Sequence, residues 1–281
     1  MGIKSKIINY LARHRRNVLT RLRPPPKKTA VFPIVVADTF RTLPYLPLGM
    51  VTVFLREWNQ GALAAAYDIH RLRLSGVMGY PLEKILPLLQ DEKNPICLFS
   101  SYVWNHSLNM AAIARIKAIN PGARIIIGGP EIPKYAGETE AFLTDNPHVD
   151  FAVLGEGELA CAEILATLAS KQPGEQLQSV DGIVFREGEN IVRTAPRDRI
   201  LDINALPSPY LHNEFEPWFR KFHTTVLETN RGCPYGCTYC DWGSATLAKV
   251  TRFSLERVTR EIEYIAACKS ENIFIADANF G

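Results

Sequence analysis

The sequence predicts an α/β protein whose first half is a Rossmann-like, doubly wound parallel sheet. From Val31 to about Ser170, short apolar runs alternate with helical patterns, and this alternation is typical of right-handed βαβ units. A separate β–loop–α–β pattern begins near Phe222. With 281 residues, of which 47% are hydrophobic and 22% charged, the chain has enough apolar side chains for two medium cores. These observations together predict two domains.

Five strands and four helices are predicted in the first half. The strands are apolar or β-branched runs, at Val31–Ala37, Leu63–Tyr67, Ile96–Ser100, Arg124–Ile127 and Phe151–Leu154. One helix passes through Met50, Val53, Phe54 and Trp58; the others are Leu82–Leu89, a helix that Ser107 caps with Met110, Ile113, Ile116 and Ile119 on its apolar stripe, and Leu159–Ala169. Ligands of such sheets bind beyond the carboxyl ends of the strands.

The pattern changes after residue 171. Gly182–Phe185 and Ile191–Arg193 flank a turn and predict a β-hairpin, and Leu206–Tyr210 is a proline-rich linker. The second unit is predicted as strand Thr224–Thr229, a helix capped by Ser254, and strand Ile273–Ala276; the inward side chains of the helix are Leu255, Val258, Ile262 and Ile265. The predicted division is a basic tail at 1–29, a Rossmann-like domain at 30–171, the hairpin and linker at 172–221, and a second domain at 222–281.

The first 28 residues carry nine lysines and arginines and no acidic residue. We interpret this leader as a solvated basic tail. A nucleic-acid arm, which would bind in a salt-sensitive way, a membrane-surface helix and a targeting peptide are the alternatives. No apolar stretch approaches the roughly 18 residues of a membrane span. Neither nucleic-acid binding nor a membrane span is therefore expected.

The six cysteines are unevenly distributed. Three lie within eight residues, whereas Cys97, Cys161 and Cys268 stand singly in apolar surroundings, as buried thiols do. This distribution favours a reducing cytoplasm and one metal-binding loop over disulfides. Thiolates bind iron–sulfur clusters and zinc, each through four ligands, so three cysteines would leave one iron of a [4Fe–4S] cluster open. Structural zinc, with Cys268 or His223 as the fourth ligand, is the alternative.

The cysteine motif carries a family resemblance. The spacing C-x3-C-x2-C, with an aromatic residue before the last cysteine, resembles the signature of the radical S-adenosylmethionine superfamily. The resemblance implies that Cys233, Cys237 and Cys240 hold a [4Fe–4S] cluster and that Tyr239 lies beside the adenine of S-adenosylmethionine. It also implies that residues 222–281 begin a (βα)6 partial barrel, and that flavodoxin or ferredoxin supplies electrons.

Further segments resemble the cobalamin-binding branch of that superfamily. They are Cys240–Thr246, Lys249, Arg252 and Asp277–Gly281, and the resemblance runs from about Val31 to the last residue. It implies methyl transfer to an unactivated carbon of a small-molecule or peptide substrate through a 5′-deoxyadenosyl radical. Another cobalamin-assisted rearrangement or cyclisation is the alternative. Because one βα unit and the start of a second are present, we expect a C-terminally truncated chain, and a non-catalytic cobalamin-binding remnant is a further reading.

The same resemblance places cobalamin on the strand-end loops of the first sheet. The implied contacts are Tyr45, Leu46, Ser101, Tyr102, Trp104, Gly128, Gly129, Gly155 and Glu156. The alternatives are that these glycines only form tight turns, or that the domain binds a nucleotide. The nucleotide reading is disfavoured because no G-x-G-x-x-G follows the first strand. Asp68-Ile69-His70 is interpreted as a polar strand end, so we expect no cobalt ligand from His70.

Overall fold

The computed structural model describes residues 27–36, 43–70, 86–170, 176–219, 222–240 and 250–280. Four predicted features lie outside these ranges. They are most of the basic tail, Ala37 of the first strand, the start of the helix at Leu82, and the part of the cobalamin-branch motif at 241–249 with Gly281.

A seven-stranded sheet forms the first half of the described chain. Its strands are β1 Thr29–Pro33, β2 Tyr67–Ile69, β3 Ile96–Ser100, β4 Arg124–Gly128, β5 Phe151–Val153, β6 Ile183–Glu187 and β7 Asn190–Arg193. The order is β2-β1-β3-β4-β5-β6-β7, with β1 to β5 parallel and the last two antiparallel. The Rossmann-like α/β fold is therefore confirmed, and the predicted hairpin extends this sheet.

Helices cover both faces of the sheet. They are α1 Leu46–Ala66, α2 Leu86–Gln90, α3 His106–Ile119, α4 Glu138–Asp145 and α5 Gly157–Ala169. Helix α1 is interrupted by a kink, since the backbone of Trp58–Gly61 is not helical. Alternate residues of β3 divide between two cores: Leu98 packs with α1 and α5, whereas Cys97 and Phe99 pack with α3. Strands buried on both faces read as continuous apolar runs, which is why the sequence pattern located β3 correctly.

Two sequence predictions in this half are wrong. Leu63–Tyr67 is not a strand: Leu63 ends the buried face of α1 and the alanines after it are helical, because alanine has the highest helix propensity. The strand begins only at Tyr67. Ser107 does not cap α3, since the helix begins at His106 and Asn105 occupies the cap position.

The second half continues from the linker. The linker packs onto the first sheet's core through Tyr210, Phe215 and Trp218, which are almost fully buried, and includes the short helix α6 Glu216–Phe219. Strands β8 Thr224–Leu227 and β11 Asn272–Ile275 pair in parallel, while β9 Asn230–Arg231 and β10 Thr251–Arg252 pair antiparallel. Helix α7 Leu255–Ala267 completes the predicted β–loop–α–β unit.

Ser254 caps α7 as predicted, but only part of the predicted inward face of the helix is buried. The Ser254 hydroxyl accepts a hydrogen bond from the Arg257 amide at 3.2 Å. Ile265 is buried and Val258 half-buried, but Leu255 is 81% and Ile262 42% exposed, so these two do not face the core of the described chain. Within the described residues, no helix is long and apolar enough to cross a membrane.

Candidate functional site

The carboxyl edge of the first sheet contains a topological switch point. Strand β1 lies between β2 and β3, so the connections after β1 and β3 leave the sheet in opposite directions. A crevice at such a point is the usual ligand site of an open α/β sheet. We call the residues around it the switch edge: Tyr45, Leu46, residues 101–105, Gly128, Gly129, Gly155 and Glu156. This definition includes the predicted cobalamin contacts, and their contact with a cofactor stays a prediction.

The loop after β3 is held by a buried hydrogen-bond network. Asn105 donates through Nδ2 to the Tyr45 hydroxyl at 2.9 Å and to the Ser100 carbonyl at 3.2 Å, and its Oδ1 accepts from the Tyr102 amide at 2.8 Å. The Tyr45 hydroxyl and Asn109 Nδ2 donate to the same Ser100 carbonyl, at 2.8 and 3.2 Å. Burial raises the pKa of Tyr45, so its hydroxyl stays a donor. Neither asparagine was predicted from the sequence as a site residue.

Gly129 lets the loops after β3 and β4 touch. Its φ of +100° is a conformation that other residues rarely adopt, and a Cβ there would lie 2.5 Å from the Ser101 carbonyl oxygen. The Ser101 amide donates to the Gly128 carbonyl at 2.7 Å. Ser101 is buried, and its Oγ lies 2.9 Å from His106 Nδ1. This glycine is therefore required by a close backbone approach as well as by a turn.

Two aromatic rings form a platform on this edge. Tyr102 and Trp104 are stacked, with centroids 4.7 Å apart and an interplanar angle of 16°, and Tyr45 meets Tyr102 edge-on. Trp104 is 39% exposed, so the platform is open to a ligand. Burial raises the pKa of the Tyr102 hydroxyl to about 12. A flat, partly exposed aromatic surface can pack against a broad ring system.

The edge is open at Gly155, whose φ is +77° and which has no atom within 4 Å of the position that a Cβ would take. Leu46 is buried, and a Cβ on Gly128 would contact Val153. A shallow cavity of about 200 Å³ lies after β4, lined by Pro130, Glu131, Ile132, Pro133, Lys134, Tyr135 and Glu138. It is too small for a corrinoid, whose disc fits an open edge better than an enclosed cavity.

The cysteine loop, residues 232–240, follows β9. Cys237 is exposed, Cys233 and Cys240 are half-buried, and all three are free thiols. The Cys240 amide donates to the Cys237 carbonyl at 3.1 Å, which closes the turn between them, and the Tyr239 ring is 90% exposed. Within the described ranges, no three Cys, His, Asp or Glu side chains are gathered to hold a metal ion. The three cysteine thiols are suitable ligands for iron. That they come together around one cluster stays a prediction.

A buried ionic cluster fixes the base of the cysteine loop. Arg231 Nη2 donates to Glu158 Oε1 at 2.6 Å, and its Nε donates to Glu228 Oε2 at 3.0 Å. Its Nη1 lies 3.5 Å from Glu156 Oε1, to which Arg199 also approaches at 3.6 Å. Burial lowers the pKa of Arg231, but the charges of Glu158 and Glu228 more than offset this, and the net direction is upward. Only Glu156 of this cluster was identified from the sequence as a site residue.

A second network fixes the entry to the loop. The Asp277 carboxylate, which follows β11, accepts hydrogen bonds from the Thr229 amide at 2.6 Å and hydroxyl, and from Asn230 Nδ2 at 2.8 Å. The Asn230 amide donates to it as well, at 3.2 Å. The part of the predicted motif around Asp277 thus has a structural role beside the cysteine loop.

The alternative metal ligands lie elsewhere. His223 and Cys268 precede β8 and β11, which are parallel, so both lie at the amino end of that pair. The cysteine loop follows the carboxyl end, about 13 Å away along a four-residue strand. Neither residue lies on the side of the β8–β11 pair from which the cysteine loop follows. His70, at the end of β2, stacks on Phe32 at 4.2 Å and lies 3.5 Å from Asp68, as a polar strand end does.

The fold and the site define an α/β protein whose cysteine loop is anchored to the carboxyl edge of a Rossmann-like sheet. No family model matches the chain. It is 33% identical over 250 residues to the cobalamin-dependent radical SAM methyltransferase TokK of Streptomyces tokunonensis, covering 85% of this chain and 34% of TokK. It is 34% identical over 249 residues to 2-(S-pantetheinyl)-carbapenam-3-carboxylate methyltransferase of Streptantibioticus cattleyicolor, with the same coverage.

Both relatives are methyltransferases, and TokK is a cobalamin-dependent radical SAM enzyme, in agreement with the resemblance found in the sequence. The chain spans about a third of the length of these curated relatives. A similar solved structure is that of TsrM from Kitasatospora setae with cobalamin and a [4Fe–4S] cluster bound. Its TM-score is 0.62 at 15% identity, covering 89% of this chain and 47% of that one. This likeness supports the fold assignment.

Proposed function

We propose that this chain is the cofactor-binding part of a cobalamin-dependent radical SAM enzyme that transfers a methyl group to an unactivated carbon. The observation that carries the proposal is the anchoring of the cysteine loop to the switch edge through Arg231, Glu156 and Glu158. This arrangement would bring two cofactor sites together on one side of the protein. The homology to methyltransferases supports the choice of reaction.

The residues present fit both cofactors. Cys233, Cys237 and Cys240 are thiols on an exposed loop, and they would hold three irons of a [4Fe–4S] cluster. The exposed ring of Tyr239 would stack beside the adenine of S-adenosylmethionine. When bound, the cluster and S-adenosylmethionine supply the radical that removes a hydrogen atom from the substrate, and cobalamin supplies the methyl group.

The switch edge would hold cobalamin by shape rather than by a cobalt ligand. Tyr102 and Trp104 offer an aromatic surface. Gly129 allows the loops after β3 and β4 to pack closely, with no side chain projecting between them. Glu156 is engaged by Arg231, Arg199 and the Ile200 amide, so its role would be to fix the loop after β5. His70 lies against Phe32, and we propose that it does not bind cobalt.

The remaining predictions concern context. We propose that the substrate is a small molecule or a peptide. We also propose that the protein is cytoplasmic and receives electrons from flavodoxin or ferredoxin, because an open [4Fe–4S] cluster needs a reducing compartment. We also propose the division predicted above, with residues 30–171 as the cobalamin domain and 222–281 as the start of the radical domain. The buried linker side chains join these parts into one core.

The test is anaerobic reconstitution of the full chain with iron, sulfide and hydroxocobalamin, followed by desalting and quantification of each component. The proposal predicts about four irons and one corrinoid per chain. A protein that retains zinc, or that retains iron without the visible absorption of a cubane cluster, would contradict the radical part. A protein that retains no corrinoid would contradict the cobalamin part.

A second candidate function is cobalamin binding without radical chemistry. The switch edge is built from buried, hydrogen-bonded side chains, whereas the thiols of the cysteine loop are not gathered among the described residues. Retention of corrinoid with no cluster in the same reconstitution would favour this candidate over the enzyme.

A further inference from the structure

We propose that Arg231 is a positioning residue that sets the cysteine loop in a fixed register against the switch edge. This inference rests on the proposed function, because register matters only if both regions hold cofactors. Arg231 lies two residues before Cys233, and its side chain is 12% exposed. It is therefore close enough along the chain to transmit its position to the first cysteine.

The guanidinium joins its own strand and the neighbouring Glu228 to residues 156–158 at the start of α5. Its Nη2 donates to Glu158 at the start of α5, its Nε donates to Glu228 just after β8, and its Nη1 faces Glu156 in the loop after β5. Glu156 in turn accepts a hydrogen bond from the Ile200 amide of the linker at 2.7 Å. The planar guanidinium donates hydrogen bonds to Glu228 and Glu158 at the same time and lies at ion-pair distance from Glu156. A lysine ammonium on a flexible stem cannot do this with the same geometry.

The strands that flank the cysteine loop share an apolar core with the first sheet through Leu227 and Phe253. The polar contacts at the base of the loop itself are fewer. Strand β9 pairs with β10 over only two residues, and Thr251 Oγ1 reaches the Arg231 carbonyl at a long 3.4 Å. The loop itself is mostly exposed after Gly232. The Asp277 network fixes β9 to β11, which belongs to the second unit. The contacts of Arg231 with Glu156 and Glu158 are the described ion pairs that reach across from the base of this loop.

The ionic cluster also contacts the switch edge. Arg231 Nη1 lies 3.5 Å from Glu156 Oε1, which belongs to that edge, and the backbone of Arg231 lies on the strand that leads to Cys233. Beside burial, the charges of Glu228 and Glu158 raise the pKa of the Tyr102 hydroxyl and that of Arg231 lowers it, so the cluster also acts on the ring that is stacked on Trp104. A single buried cation shared by both regions would fix the separation and angle between the two cofactors.

The experiment measures the magnetic coupling between cob(II)alamin and the reduced cluster in the reconstituted full chain by electron paramagnetic resonance. Wild type should show a resolved splitting of the cob(II)alamin signal. Arg231→Gln should retain both cofactors and lose the resolved splitting, because the loop is released. Arg231→Lys should restore part of it, because the charge is kept and the fork is lost.

Lys117→Gln is the matched control. Lys117 is 14% exposed and pairs with Asp150 at 2.8 Å, but this pair lies at the amino end of β5, on the opposite edge of the sheet. The control should leave the splitting unchanged. An unchanged splitting in Arg231→Gln, or an equal loss in Lys117→Gln, would overturn the positioning role.

The outcomes separate this inference from the proposed function. Failure of wild type to bind both cofactors would overturn the proposed function and the inference with it. Binding of both without any coupling in wild type would overturn the inference alone. If Arg231→Gln does not fold, the Arg231→Lys variant is the test. An altered splitting of the cob(II)alamin signal in that variant supports the positioning role of Arg231, and a wild-type splitting contradicts it.

Discussion

The loop after β3 and the cysteine loop both carry predicted cofactor-binding residues, but they differ in the contacts that hold them. In the first, Asn105 and Asn109 are buried and fix the Ser100 carbonyl and the Tyr102 amide. In the second, the residues between Gly232 and Cys240 are mostly exposed, and order comes from the base, through Arg231 and Asp277. The loop after β3 is therefore preorganised by the protein. The cysteine loop supplies thiols whose arrangement a bound metal cluster would complete.

The largest expected effect is on the cysteine loop. Cys237→Ala should reduce retained iron from about four per chain to below one, because the remaining two thiolates cannot hold a cubane. Corrinoid retention should stay at the wild-type level, since the switch edge is built without this loop. Iron, sulfide and corrinoid analysis after anaerobic reconstitution checks both results.

Cys268→Ala is the control for that variant, because Cys268 lies at the far end of the β8–β11 pair and is also a free thiol. It should retain the full cluster. Equal iron loss in both variants would show that Cys268 is a ligand and would contradict the three-cysteine assignment.

The next effect tests the preorganised region. Gly129→Ala should lower the free energy of unfolding by about 2–4 kcal/mol, because it adds a steric clash with the Ser101 carbonyl to the strain of a positive φ. Gly137→Ala shares the positive φ, at +84°, but has no atom within 4 Å of the new methyl group. It should cost about 1–2 kcal/mol. Denaturant unfolding measures both, and equal losses would contradict the close approach.

Asn105→Ala should cost about 1–3 kcal/mol in stability, because the Tyr102 amide and the Tyr45 hydroxyl lose a buried partner. It should also weaken corrinoid binding, since the platform on the loop is released. Asn204→Ala removes an exposed hydrogen bond to the Ser254 amide and should affect neither property by a comparable amount. Corrinoid affinity unchanged in Asn105→Ala would show that the loop does not contact the cofactor.

The smallest effect concerns pH. Burial raises the pKa of Glu228 above its usual value of 4.5, against the attraction of Arg231. The native state then binds the proton more tightly than the unfolded state, so this carboxyl's contribution to stability falls as pH rises from 4.5 towards the raised value. Glu228→Gln lacks this titration. The stability of wild type relative to Glu228→Gln should therefore decline with rising pH in that window, and a rising difference would contradict the direction.

Sequence reasoning succeeded where a local pattern decides the structure. Ile96–Ser100 was located because it is a continuous apolar run, and the β6–β7 hairpin because turn residues separate two short strands. It failed where local signals conflict. The polar helix Glu138–Asp145 has no apolar stripe and is stabilised at its start by the Glu140 carboxylate, which accepts from the Gly137 amide.

The site shows the same division. The cysteines, Tyr239 and the strand-end loops were identified from a motif and from the ends of apolar runs. The pairing of Arg231 with Glu158 was not, because 73 residues separate them and only the tertiary fold brings them together. Asn105 was also missed, since an asparagine before a helix predicts an ordinary cap, whereas its side chain holds the preceding loop instead.

The most direct test of the central claim is the electron paramagnetic resonance spectrum of the reduced, reconstituted chain with and without S-adenosylmethionine. A [4Fe–4S] cluster held by Cys233, Cys237 and Cys240 has one iron free to bind the amino and carboxylate groups of S-adenosylmethionine. The account predicts that the cluster signal changes its g-values when S-adenosylmethionine is added. A cluster signal that is identical in both samples, or a metal site that contains zinc, would contradict it.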